Sequence, residues 1–197
     1  MIHRKTTLAL LFFCSLATFG QSDLIDSLRN QLKVASTIEE KVFLHDEIGY
    51  QLSSRKPLIS VSHADSAIRL ANEIEDPKLL LKAYNGKSIP LIRLGRFTEA
   101  KYVLDSAYKF SVRTVDLRST ASILSKMGVV AQEQNDLKNA QKYYLESLEI
   151  FEELQDSLAI AQTYDNLAAI FERLDDFERS LLYNKKSLPI LEAYDYA

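Results

Sequence analysis

The chain has 197 residues, 47% of them hydrophobic and 26% charged, with five glycines and four prolines. That composition excludes low-complexity and natively disordered polymers and suits one ordinary core or a short repeat array. A formal charge of −3 supplies no basic field for holding phosphates, so nucleic acid is not an expected partner.

Residues 1–20 read as a secretory signal peptide. Arg4 and Lys5 precede an apolar run from Leu8 to Phe19, and no acidic residue comes before Asp23. The run is about a dozen residues, short of the roughly twenty that span a bilayer. Thr18 and Gly20 place small groups for a cut before Gln21. A lipid anchor on Cys14 is the competing reading, and Phe12 and Phe13 stand against it where small residues are needed for processing. Cys14 is the one cysteine, so a processed chain holds no disulfide and no thiolate metal site. Export, to the periplasm of a bacterium, is the expected localisation; loss of Arg4 and Lys5 leaves 22 basic and 27 acidic residues, a net charge of −5.

Residues 21–36 hold an amphipathic capping helix, with Leu24, Ile25, Leu28 and Leu32 on one stripe. Thr37 and Glu40 then form a capping box that opens the next helix. The segment 37–76 carries small residues at Gly49, Ser60, Ala64 and Ala67; Gly49 stands one residue out of step with the later units, which predicts a turn shortened by one residue around Ser53 to Pro57.

From there the chain repeats with a step of forty. Asp76, Asp116 and Asp156 each precede an apolar-periodic stretch as helix N-caps, and Pro77 fills the favoured first helical position. Three columns are small throughout: Ser88, Gly128, Ala168; Ala100, Ala140, Ser180; and Ala107, Ser147, Ser187. Large apolar groups recur at Tyr84, Leu124, Tyr164; Phe97, Leu137, Phe177; Tyr108, Leu148, Leu188; and Phe110, Ile150, Ile190, with turn residues Gly95, Asn135 and Asp175 between the two halves. Apolar spacings of three and four make each unit a helical hairpin, and small residues let helices cross closely. Pro90 lacks the N–H that would bond the Gly86 carbonyl, which predicts a kink; Pro189 interrupts the final helix likewise.

Leu124, Met127, Gly128, Leu137, Ala140, Tyr144 and Ser147, and in the last unit Asn166, Leu167, Ala168, Phe171, Phe177 and Ser180, resemble the pattern of the tetratricopeptide repeat family in its longer form of about forty residues. Lys87, where Leu is usual, and Asn184, where an aromatic is usual, depart from it. The resemblance implies an all-α fold, an α-solenoid of antiparallel helix hairpins wound as a right-handed superhelix. It divides the chain into a degenerate repeat at 37–76, repeats at 77–116 and 117–156, and a final repeat at 157–197 that is open to truncation at its C-terminal end.

Chemistry is hard to place on this chain. Nucleophile elbow, P-loop, HExxH and CxxC are all missing, so no enzyme, metal or cofactor is expected. His45, in Phe43-Leu44-His45-Asp46-Glu47-Ile48-Gly49, resembles the phospho-acceptor box of one class of sensor histidine kinases. Without a basic stretch before it or a glycine-rich lid after it, His45 is read as a helix-packing residue. Asp175 and Asp176 are read as capping groups, not a catalytic dyad.

What remains is the inner face of the superhelix, and with it a protein or peptide partner. The family's inner positions fall on Lys82, Asn85, Ile89, Ile92 and Arg93; on Ser125, Val129, Gln132 and Glu133; and on Gln162, Asp165, Ala169, Glu172 and Arg173. A stripe of Ile89, Val129 and Ala169 flanked by Arg93, Glu133 and Arg173 suits an amphipathic helix or an extended peptide. The competing reading is a plain solvated face. The lysine and asparagine clamp that some members use for a C-terminal carboxylate is not reproduced. The expected function is therefore an exported, non-enzymatic scaffold. The alternative is the extracytoplasmic sensory region of a larger membrane-bound signalling protein, a histidine kinase or a transcription regulator, as in similar leader-plus-repeat proteins. Membrane contact is expected only through an uncleaved leader or a missing C-terminal span.

Overall fold

The computed structural model describes residues 23–195; the signal-peptide reading of residues 1–20 lies outside them. Nine helices and no strands occur among the described residues: α1 (23–34), α2 (Ile38–Leu52), α3 (Pro57–Glu73), α4 (Pro77–Arg93), α5 (Phe97–Thr114), α6 (Leu117–Glu133), α7 (Leu137–Glu153), α8 (Ser157–Arg173) and α9 (Phe177–Asp195). From α2 onward they pair as antiparallel hairpins, and each hairpin stacks on the next. None of the described helices is long and apolar enough to cross a membrane.

The joints between helices arise from one short local pattern. Asn135 takes a left-handed φ of 61°, and the Asp136 N–H then bonds the Ala131 carbonyl at 2.8 Å, closing α6. The Asp136 carboxylate accepts from the Asn139 N–H at 3.2 Å and opens α7. One residue thus satisfies orphan groups of two successive helices. Asp116, Asp156 and Asp176 do the same, behind Val115, Gln155 and Asp175 at positive φ. The pattern recurs every twenty residues, twice per hairpin. At the α1–α2 joint Thr37 Oγ1 accepts from the Glu40 N–H, and the Glu40 carboxylate reaches back to the Ser36 N–H.

The small columns all lie in the interior. Ser88, Gly128 and Ala168, Ala100, Ala140 and Ser180, and Ala107, Ser147 and Ser187 are each buried. Serine is tolerated there because its hydroxyl bonds back to its own helix: Ser88 to the Asn85 carbonyl at 2.6 Å, Ser147 to that of Tyr144 at 2.9 Å. Around these columns the core forms four successive clusters along the stack. Leu28 of α1 meets Leu44, Ile48 and Leu52, Val42 meets Leu70 and Leu80, Leu91 and Leu104 meet Ile123 and Met127, and Tyr144 meets Leu167 and Ile170.

Three departures from the repeat have physical explanations. The register slip after Gly49 is absorbed in α2 itself, 15 residues long against 17 for α4, and not in the turn; both the N–H and the hydroxyl of Ser53 fold back onto the Tyr50 carbonyl and end the helix early. Lys87 leaves the core position that a Leu would fill and pairs with Asp65 of α3 at 2.6 Å. Asn184 lacks the ring of its counterpart Tyr144, and the neighbouring Tyr183 stacks on Phe171 instead, centroids 5.5 Å apart and planes 4° from parallel. α4 and α9 run as continuous helices through Pro90 and Pro189.

Candidate binding groove

Helices α2, α4 and α6 lie side by side, α4 touching both of the others. Between them opens a cavity of about 420 Å³, lined by Asp46, Glu47, Tyr50 and Ser53 of α2, Lys82, Asn85, Gly86 and Ile89 of α4, and Lys126 of α6. Lys82 and Asn85 also line a second recess of about 750 Å³, bounded by Lys78, Leu81, Leu154 and the α5–α6 turn from Thr114 to Ser119.

Two polar ties hold the three helices together across the cavity. Lys82 Nζ sits 3.3 Å from Asp46 Oδ2 and 4.2 Å from the centre of the Phe43 ring. Lys126 Nζ donates to Asn85 Oδ1 at 2.7 Å and to Ser122 Oγ at 3.3 Å. Burial pushes the Asp46 carboxyl above its ordinary range, although Lys82 pulls the other way. Burial alone lowers Lys126 to about 8, because neither of its partners carries a negative charge. Gly86 gives Asp46 its place: a Cβ there would collide with Asp46 Oδ1.

Of the inner-face residues expected from the repeat, the structure gathers Lys82, Asn85 and Ile89 into this cavity. Arg93 is exposed in the last turn of α4, and Ile92 leans into the core. Ser125, Val129 and Gln132 are half-buried on α6 and Glu133 is exposed; Val129 packs toward the α7–α8 core, and Gln132 Oε1 accepts the Tyr144 hydroxyl at 3.0 Å. On α8, Gln162, Asp165, Glu172 and Arg173 are exposed and Ala169 is half-buried. Arg173 is already committed: it donates to the Gln132 carbonyl and to Asn135 Oδ1, both at 2.9 Å. Asp46, Glu47, Tyr50, Gly86 and Lys126 were not among the expected residues. Lys126 lies one position after the expected Ser125, and Gly86 stands forty residues before Lys126.

On the α2–α3 hairpin, His45 and His63 face each other, Nδ1 to Nδ1 at 3.0 Å. Burial is the first cause that lowers each of them, His45 to about 4. His45 thus packs between helices. No group of three or more His, Cys, Asp or Glu among the described residues could hold a metal.

Residues 119–193 match the tetratricopeptide repeat family. No curated protein sequence matches the chain. Among solved structures, the Rap protein complexed with competence and sporulation factor has a TM-score of 0.79 at 15% identity, covering 93% of this chain and 53% of its own. Aspartyl phosphate phosphatase F from Bacillus subtilis has a TM-score of 0.79 at 16% identity, covering 90% and 50%. BtubC from P. vanneervenii has 0.73 at 16%, covering 82% and 67%. The chain thus spans about half the length of the Rap and phosphatase structures that share its fold. The sequence match to that family is confined to 119–193, and the preceding hairpins continue the same helical-solenoid fold.

Proposed function

We propose that the chain is a binding scaffold without chemistry of its own, which receives a protein or peptide segment along the inner wall of α2, α4 and α6. The observation that carries this reading is the cavity of about 420 Å³ in which apolar Ile89 and Tyr50 stand beside polar Lys82, Asn85 and Lys126, the mixture that recognises peptides. A Rap protein of the same fold was solved in complex with competence and sporulation factor, and another relative in fold is named a phosphatase; the first favours ligand capture here. Benzoylphenylalanine in place of Ile89 should crosslink a bound partner on illumination, whereas the same group in place of Tyr102, exposed on α5 and no part of the cavity lining, should not. Equal yields from both positions would refute the groove.

Export belongs to the same proposal. It rests on residues 1–20, and N-terminal sequencing of the secreted product should begin at Gln21. A second reading, the sensory region of a larger membrane-bound histidine kinase or transcription regulator, draws support from α9. Leu188 is 56% exposed where its counterpart Leu148 is buried, an apolar position that a further helix would cover. Sequencing the reading frame past Ala197 tests this.

A further inference from the structure

Interior helices of the stack present an apolar stripe that the next hairpin covers. On α7, Leu137, Tyr144 and Leu148 share a core cluster with Leu167 and Ile170 of α8. Forty residues on, α9 presents Phe177, Asn184 and Leu188 at the same positions, and there Phe177 is 64% and Leu188 56% exposed. Leu181 joins them, 55% exposed, where α7 has the polar Gln141. The outermost helix of a solenoid ordinarily turns a polar face to water. This one, the outermost among the described residues, instead adds a leucine to the stripe.

The spacing defines the kind of element that fits. Phe177, Leu181, Asn184 and Leu188 are separated by four, three and four residues, the seam of two helices packed side by side, in which a single Asn sets the register. Glu178 and Lys185, seven residues apart, run along one flank of that seam. Neither has an ion-pair partner among the described residues. Arg179 and Lys186 turn elsewhere, the first to Asp176 and the second over the rings of Tyr164 and Tyr183.

Two copies of this flank are complementary in one orientation. In a parallel pair Glu178 would face Glu178 of the second copy, and Lys185 would face Lys185. In an antiparallel pair each Glu178 meets a Lys185, Phe177 lies over Leu188, and Leu181 lies over Asn184. Every contact then occurs twice about a two-fold axis. Glu192, seven residues after Lys185, lies beyond the paired stretch.

We infer that α9 is a dimerisation helix: its stripe of Phe177, Leu181, Asn184 and Leu188 packs antiparallel against the same stripe of a second copy, with Glu178 and Lys185 paired across the axis. The helix that covers Leu188 is then the α9 of that copy. This goes beyond the groove reading and does not rest on it.

Sedimentation equilibrium of the whole chain, 22.4 kDa as a monomer, tests the pairing. Three turns of helix from each copy make a small interface, so the mass should approach twice that value only by about 100 μM. Leu181→Asp, at a position exposed in the single chain, should keep its circular dichroism and weaken association by about tenfold or more. Glu178→Lys should weaken it about fivefold at low salt, and combining Glu178→Lys with Lys185→Glu should restore it. A chain still monomeric at about 100 μM would overturn the assignment and leave the stripe to a different partner. A dimer indifferent to Leu181→Asp would place the contact on another surface, and a double exchange no stronger than the single one would remove the antiparallel register; each of these overturns it too. The Ile89 crosslink to a groove partner is independent of all three outcomes.

Discussion

The α-carbon of Gly128 lies directly under the ring of Tyr144: a Cβ at that position would stand 2.6 Å from Tyr144 Cε1. Tyr144 is fully buried and its hydroxyl is held by Gln132, so the ring cannot swing away cheaply. Gly128→Ala should therefore destabilise by about 1–3 kcal/mol through overpacking. Gly49 is the control within the same fold. The nearest atom to a Cβ there is the Ser60 carbonyl oxygen at 3.5 Å, ordinary contact, so Gly49→Ala should stabilise by about 0.5–1 kcal/mol through helix propensity. Urea unfolding of the two variants should move the midpoint in opposite directions.

Val115 occupies a left-handed conformation at φ 54° with its side chain 79% exposed. A β-branched residue is strained there and gains no packing in return. Val115→Gly should raise stability by about 1 kcal/mol or more, read as an increase in Tm. An unchanged or lowered Tm would mean that the α5–α6 turn is not set by this residue.

The His45–His63 contact should make the α2–α3 hairpin sensitive to acid. Burial holds both imidazoles below the ordinary value of 6.5, with Arg29 of α1 facing His63 and Arg69 of α3 facing His45 to oppose a further positive charge. Below pH 6.5 the unfolded chain takes up protons that the folded chain refuses until about 4, so stability falls as pH drops through that window. With both rings partly open to solvent, the loss should amount to about 1–2 kcal/mol. Replacing both histidines by Gln should flatten the dependence of the urea midpoint on pH between 6.5 and 4.

Asp46 and Lys82 should respond unequally to removal. Burial disfavours the Asp46 charge even with Lys82 beside it, so Asp46→Asn should leave stability unchanged or slightly higher. Lys82→Met leaves that carboxylate without its cation and takes the ammonium off the Phe43 ring; a loss of about 1–2 kcal/mol is expected, reduced from that of a fully enclosed pair by the exposure of Lys82. Paired urea titrations at neutral pH decide between these outcomes.

The repeat could be read from the sequence because its constraint is steric and recurs in strict step: where helices cross, only Ser, Gly or Ala fits, and all nine expected positions are buried. Capping was equally legible at Asp76, Asp116 and Asp156, since the acceptor and the donors it serves are two or three residues apart. The groove was legible only in part. Lys126 finds its acceptor, Asn85, on another helix 41 residues away, and the same separation hides the tie of Arg173 to Gln132. His45 and His63, 18 residues apart on facing helices, give no sign of each other in a linear reading. Partnerships of this kind depend on rotamers and helix rotation, which periodicity leaves free.

The aspartates that end one helix and begin the next also bear on how such a chain changes length. Each joint is complete within a handful of residues: Asp116 reaches back to Ser111 and forward to Ser119, and Asp156 back to Phe151 and forward to Ala159. A segment cut from Val115 through Leu154 therefore begins and ends at equivalent points of two successive joints, with the acceptors Ser111 and Phe151 at the same distance behind each. Duplicating or excising that module preserves the geometry of both splice points, so the array can grow or shrink by whole hairpins while every surviving crossing keeps its angle.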